Sequence, residues 1–524
     1  MNEAQRLSQQ PEIIDEQVFR DLVARRAWRL LSLAYHLSDH VSVKSALKRP
    51  LLGSLLSQAT QLEEMLDTYG ARNNRRWCRF RALTAAVKLF ANVSYKLLHI
   101  WYAVPDYRLL PIEHDFVAAT ERALAFTGEV LMEAAGGLLE QAKRLDVFSF
   151  VDVGYTKDRY AEYRLAGRLA HDRPTRRIKS AAETVTHLAT AFLNLAADSE
   201  LLHTVVKIQP NEYTAYCPEL VSEESLRYLK YRFHNLQSSY DTYVSETQVE
   251  HLDMDLPVLR GHISVVFHLL EIATELVHYY ERHVNTKTGD LSLRRRPILS
   301  PDALLTVLMG YALTYASYYV ACGQRLCQSM LKRYAEIDSI QVPVPSYRGF
   351  HVRPATLVAK IVLHYGSEVR MELADDAYDA AAPMDLFRAN EKINAGKRRW
   401  LASEIAHLPL PKRTMTDRQI QAAIKQVIAT LAAQNKVVIY QQPLQLTETF
   451  TLKEGDLLAQ VTAEIARLLA TGQIDINTDL TITFVGDKRV LADIKLLAQA
   501  GYGEDRFGNN TPLPKELVYL RRTE

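Results

Sequence analysis

From about residue 13 to residue 336 the apolar side chains recur at helical spacing, and at Glu336 that period gives way to one of two. A helix buries a stripe and a strand buries one face, so this change of period constrains the fold more than any other feature. Helices are expected over 19–40, 76–103, 114–145, 175–208, 222–245, 259–284 and 301–334. Breakers separate them: Lys48-Arg49-Pro50, Tyr69-Gly70, Pro105, Pro111, Pro210, Pro218, Asn285 to Gly289, Pro297 and Pro301. Several of these segments run to about twice the dozen residues of an average globular helix, which suits long antiparallel bundles. Leu97-Leu98-His99, Leu201-Leu202-His203 and Leu276-Val277-His278 close three of them, a pattern that suggests repeated helical hairpins. The expectation for 1–336 is an all-α region of one or two bundles that binds, regulates or oligomerises.

Beyond Glu336 the elements shorten. Strands are expected over 338–345, 367–373, 377–381 and 479–486, with helices from Pro354 to Tyr365, from Met384 through Arg399, and over 487–500. A mostly helical stretch, about 396–476, separates the last strand from the others; its helices are expected at 416–435 and 452–470, with a strand at 436–440. A chain of 524 residues exceeds one core, so several domains are expected.

The chemistry concentrates in Gly349-Phe350-His351-Val352-Arg353-Pro354-Ala355-Thr356. Proline is favoured at the start of a helix, where its missing N–H has no partner, and it pushes the preceding residue out of helical geometry. That places an imidazole beside the free amides of a helix N-terminus, with a guanidinium two residues on. Such a site attracts anions and already contains a nucleophile, so phosphate on His351 is the simplest reading. Arg353 supplies charge-assisted hydrogen bonds to phosphoryl oxygens.

Gly-x-His-x-Arg-Pro-Ala followed by a helix resembles the histidine-containing phosphocarrier (HPr) family of the sugar phosphotransferase system. The family's element order is strand, motif and helix, two strands, short helix, strand, helix; blocks 338–394 and 478–500 match it. The resemblance implies an open-faced antiparallel sheet with helices on one face over 337–502, interrupted at 396–476, with 503–524 as a C-terminal tail. It implies that His351 takes a phosphoryl group from an enzyme I-like donor and passes it to a downstream acceptor, while Arg353 steadies it. Lys360 falls where the family has a basic docking residue, and Met384, Leu386 and Phe387 match its apolar docking patch. Phe350 and Val352 are bulkier than the family's usual residues, and the stretch from Asp379 to Asp385 has no hydroxyl for serine control. The expected fold class is therefore multidomain α+β. The alternative is an HPr-shaped interaction module without transfer.

Other classes find less support. A formal charge of +2, with acids and bases interspersed, gives no basic face for nucleic acid. The clusters Arg294-Arg295-Arg296 and Lys397-Arg398-Arg399 read as solvated helix ends or loops. Cys78, Cys217, Cys322 and Cys327 have no metal or disulfide spacing, which fits a reducing compartment. The polar N-terminus lacks a signal-peptide pattern, and a cytoplasmic location is expected. Residues 303–324 carry no charge over about a bilayer's length, but their tyrosines and threonines favour a helix buried in a bundle over membrane association. Glu200 with His203 and Glu275 with His278 have the Glu-x-x-His spacing of di-metal bundles, with Glu129, Glu133, Glu183 or Glu246 as complements. Glu404 with His407 repeats that spacing in an unrelated segment, so no metal and no cofactor are assigned. A homo-oligomer through the helical region remains open.

Overall fold

The computed structural model describes residues 13–38, 47–148, 169, 180–284, 298–409, 416–448 and 457–520. The first dozen residues, the breaker from Asn285 to Gly289, Arg294-Arg295-Arg296, Pro297 and the expected helix start at 175 lie outside them. The protein is a mostly helical α+β chain of two compact units, Met1–Cys327 and Gln328–Glu524.

The first unit contains α1 (Glu16–Ser38), α2 (Arg49–Thr68), α3 (Cys78–Ala103), α4 (Phe116–Arg144), α5 (Ala181–Ala197), α6 (Glu223–Tyr243), α7 (Asp255–Tyr279) and most of α8 (Pro301–Arg333). Helix α3 packs against α2, α4 and α7, so Phe80, Leu83, Val87, Phe90 and Leu97 are buried around its circumference. Helices start on side-chain caps: Asp115, Ser180, Ser222 and Ser300 each accept an amide of the first turn. The helix expected over 175–208 breaks at Ser199. There the buried hydroxyl donates to Leu195 O at 2.7 Å, competing with the backbone ladder, and Asp198 pairs with Arg232 at 2.5 Å. The three Leu-x-His triplets do not close equivalent hairpins. Two end helices of 26 and 25 residues, while the third lies in the six-residue helix Glu200–Val205. Asp255–Val284 and Pro301–Arg333 are long and apolar enough to cross a membrane by length and composition, and 67% of each apolar window is buried in the protein.

The second unit begins ahead of the change of period, because Gln328 at the end of α8 donates to Leu363 O and His364 O, both at 3.1 Å. Its elements are β1 (Ile337–Pro343), α9 (Val352–Tyr365), β2 (Val369–Leu373), β3 (Asp376–Asp379), α10 (Pro383–Ala406), α11 (Asp417–Ala433), β4 (Val437–Ile439), α12 (Leu457–Ala470), β5 (Ile474–Ile476), β6 (Thr481–Asp487) and α13 (Lys488–Gln499). The sheet order is β1-β6-β2-β3, antiparallel throughout, with Phe484 opposite both Ile340 and Met371. Val342, Ile482, Phe484, Val369 and Met371 are buried, while Gln341, Arg370 and Glu372 are exposed, so the period-two alternation buries one face. Helix α13 covers β1 and β6, and α9 packs on α13 and α10.

The inserted stretch has a core of its own. Ile420, Ile424, Ile428, Leu431, Val461, Ile465 and Leu468 pack around Val437, Ile474 and Ile476 of the two-stranded β4–β5 sheet. Strand β5 has no counterpart in the sequence expectation, being three residues long, too short to show alternation. Helix α10 runs past Arg399 to Ala406 and places Leu401 and Ile405 in that second core. The described part of the C-terminal tail, residues 503–520, packs on the domain. Leu517 and Leu520 are buried, the Tyr519 ring stacks on His364 at 4.1 Å, and its hydroxyl donates to Asp493 Oδ2 at 2.6 Å.

Candidate functional site

The turn before α9 is built on two left-handed residues, Arg348 (φ 53°) and Gly349 (φ 64°). A side chain at Gly349 would be strained, and its Cβ would meet Asn390 Oδ1 at 2.1 Å. Asn390, on α10, clamps the turn: Oδ1 accepts the Phe350 amide and Nδ2 donates to Arg348 O, each at 3.0 Å. Phe350 is fully buried, edge-on to Tyr502 and Phe484 at 5.6 and 6.4 Å. Its bulk belongs to the core, which is why an aromatic is accommodated there.

His351 is the N-cap of α9 (φ −77°, ψ −169°), and its carbonyl accepts the Ala355 amide at 3.1 Å. The helix therefore starts at Val352, two residues ahead of the expected Pro354. Proline is tolerated throughout the first turn because those amides have no intrahelical acceptor. The Val352 side chain is 69% exposed.

The His351 ring is held by a residue that sequence reasoning did not single out. Nε2 lies 2.7 Å from Glu504 Oε2, and Arg353 Nε lies 3.8 Å from Glu504 Oε1. Glu504 is nearly buried, and Arg353 Nε, also buried, makes no hydrogen bond. A carboxylate only accepts, so this contact favours the tautomer with the proton on Nε2 and the lone pair on Nδ1. The Tyr347 ring stands edge-on to the imidazole at 5.4 Å.

What aims Glu504 is the turn that follows α13. Tyr502 (φ 57°) is buried and donates to Pro343 O at 2.8 Å. Gly503 (φ 76°) presses so closely that an added Cβ would meet Arg353 Nε and Leu357 Cδ1 at 3.3 Å. Beyond it, the Thr511 amide returns to Gly503 O at 3.0 Å.

One wall of the site opens on a cavity of about 360 Å³, bordered by His351, Arg348, Asn394, Lys397, Arg398 and Asp475. Lys397 is 3% exposed. Burial pulls its pKa below the ordinary lysine value, with Asp475 opposing the shift.

The expected docking residues separate. Lys360 is exposed on α9, Met384 is 67% exposed and Phe387 is half-buried. Leu386 is fully buried and cannot dock a partner, because it begins the inward stripe Leu386, Ala389, Asn390, Ile393 of α10. The Glu-x-x-His pairs do not converge. Glu275 engages Asn92 at 3.1 Å and Lys96 at 3.6 Å, whereas His278 Nδ1 meets Glu223 at 2.9 Å. Among the described residues no three metal-binding side chains cluster. Cys217, Cys322 and Cys327 are buried free thiols, and burial pushes the Cys327 pKa well up.

Glu504 and Asn390 were hidden for different reasons. Glu504 lies where helical and strand periodicity have stopped. The available signal was Gly501, Gly503 and Gly508 around Asp505 and Asn509, a composition of ordered turns. Asn390 looks like any polar helical residue until the turn is placed against it. Comparison with protein-family models, curated proteins and solved structures finds no match.

Proposed function

We propose that residues 337–502 form an interrupted HPr-like domain and that the protein is a phosphocarrier or phosphorylation-dependent regulator acting through His351. The observation that carries this reading is the pairing of His351 Nε2 with Glu504 at the N-terminus of α9, with Arg353 alongside. Three supports converge on it: the element order, the antiparallel sheet with one buried face, and the cap position of the histidine.

In the proposed step the Nδ1 lone pair attacks the phosphorus of the donor's phosphohistidine. A new N–P bond forms as the donor's N–P bond breaks, and the donor imidazole keeps that electron pair. Glu504 offsets the positive charge that builds on the ring. Arg353 and the first amides of α9 face the phosphoryl oxygens, so the work is positioning and charge neutralisation. The donor is an enzyme I-like protein and the acceptor a downstream protein, in the cytoplasm. Lys360, Met384 and Phe387 would form the docking surface, and the helical unit would respond to the phosphorylation state.

Incubation with enzyme I and phosphoenolpyruvate, followed by an assay for acid-labile phosphate, tests the reading. Wild type is expected to label and His351→Ala is not; equal labelling of the two moves the site elsewhere. Glu504 favours one second reading, because its carboxylate already meets both His351 and Arg353, the residue that would steady a phosphate. In that reading the domain is an interaction module without transfer. Wild type then does not label, and His351→Ala retains its partners in a pull-down.

A further inference from the structure

Between the His351 turn and helix α12, the cavity of about 360 Å³ carries an excess of positive charge. Arg348, Lys397 and Arg398 border it against the single carboxylate of Asp475. Asp475 is already engaged: Oδ2 accepts the Arg348 amide at 2.9 Å and the Tyr440 hydroxyl at 3.3 Å, and Oδ1 accepts the Ile476 amide at 2.7 Å. Among the described residues no carboxylate oxygen lies within 4.0 Å of the Lys397 ammonium or the Arg398 guanidinium. A second cavity of about 720 Å³ also borders Lys397, but its Lys392 and Lys436 are paired with Asp376 and Glu404. That larger space also sets Arg399 against Asp479, so the greater excess of cations over carboxylates around Lys397 lies in the smaller one. A buried ammonium with no carboxylate within ion-pair distance is costly, and an anion that enters reduces that cost.

We propose that this cavity binds a small organic phosphate monoester, its dianionic head between Lys397, Arg398 and Arg348 and its carbon skeleton against α12. The head group follows from the charge, because two guanidinium forks and an ammonium match phosphoryl oxygens in number and geometry. The carbon skeleton follows from the opposite wall, where Ala466, Leu469 and Ile474 offer apolar surface that inorganic phosphate leaves uncovered. The volume lies at the lower end of the roughly 300–1,000 Å³ usual for small-molecule sites, which fits a compact ester of about three to six carbons. Its neighbour His351 gives the ligand a route to sense or influence the phosphorylation state. Binding itself does not require transfer through His351.

Calorimetry on the full chain tests the site with glycerol 3-phosphate and glucose 6-phosphate, against glycerol, glucose and inorganic phosphate. At least one ester is expected to bind at submillimolar concentration and more tightly than inorganic phosphate, with no binding of the parent alcohols. Lys397→Met and the exposed Arg398→Gln should each weaken that ester by about tenfold, the ratio that about 1.4 kcal/mol gives. Absence of binding by both esters up to 10 mM overturns the proposal, with ~4 kcal/mol as the scale of millimolar affinity. So does inorganic phosphate binding as tightly as the esters, or wild-type affinity in both variants. Labelling of His351 is read separately, so a chain that binds the ester without labelling refutes the carrier reading and leaves this one standing.

Discussion

Replacing Glu504 by Gln gives the sharpest test of how the imidazole is prepared. Gln keeps the size and one acceptor oxygen, so the 2.7 Å contact with Nε2 can persist while its charge is lost. The carboxylate side chain is 7% exposed and the ring 26%, so solvent screens the pair only partly. A hydrogen bond to a charged group contributes about 1.5–3 kcal/mol, and discounting for the exposed part of the ring leaves about 1–2 kcal/mol. If that interaction strengthens as the ring becomes cationic, its loss raises the barrier and slows phosphorylation by about 5- to 30-fold. The assay is the initial rate of acid-labile labelling from phosphoenolpyruvate and enzyme I, with urea midpoints of both proteins as a folding control. A parallel readout is the ring tautomer, followed by long-range proton–nitrogen correlation on histidine-labelled protein. Wild type should show protonated Nε2 and bare Nδ1, and Glu504→Gln a mixture. Labelling within twofold of wild type, with the tautomer unchanged, would refute the assignment of Glu504 as a positioning residue.

Gly349→Ala places a Cβ at positive φ and 2.1 Å from Asn390 Oδ1, so strain and a disturbed buried hydrogen bond should lower stability by about 2–4 kcal/mol in urea unfolding. Lys397→Met should be more stable than wild type at neutral pH, by about 1.4 kcal/mol for each unit of pKa depression. The folded state binds fewer protons than the unfolded one between the depressed pKa and 10.5, so wild-type stability rises with pH across that window and the variant's does not. Asp493 has the opposite sign: burial raises its pKa despite hydrogen bonds from Tyr519 and Tyr365. The folded state then holds the extra proton, so stability falls as pH climbs from 3.8 through the raised value, a slope that Asp493→Asn should abolish in denaturation curves.

The parts legible in the sequence were those governed by one periodic pattern. Val369, Met371, Ile482 and Phe484 alternate strictly because one face is covered, and the expected strands lie within two residues of the observed ones at most ends. Long helices such as α3 and α4 were legible for the same reason. What escaped depended on contacts distant in the chain. Ser199 breaks a helix through its own hydroxyl, which periodicity does not register. Leu386 matched a docking position by resemblance, yet its 0% exposure follows from where α10 meets its neighbours. His351 could be singled out alone, but its partner lies 153 residues away.

Helix α10 links these observations. Its N-terminal half carries Asn390, whose amide fixes the turn ahead of His351, and about two turns later Lys397 borders the cavity beside that histidine. A turn further on, Leu401 and Ile405 enter the core of the insertion. One continuous helix thus carries the clamp on the site, the buried charge of the site and the anchor of the inserted module. Strand β5 closes the arrangement, since Asp475 holds the Arg348 amide while Ile474 and Ile476 pack in the insertion core. Rigid elements hold a side chain in place more firmly than loops do. The insertion is therefore part of the wall around His351, and changes that loosen its core should reach the histidine through Asp475 and Asn390 before they disturb the four-stranded sheet.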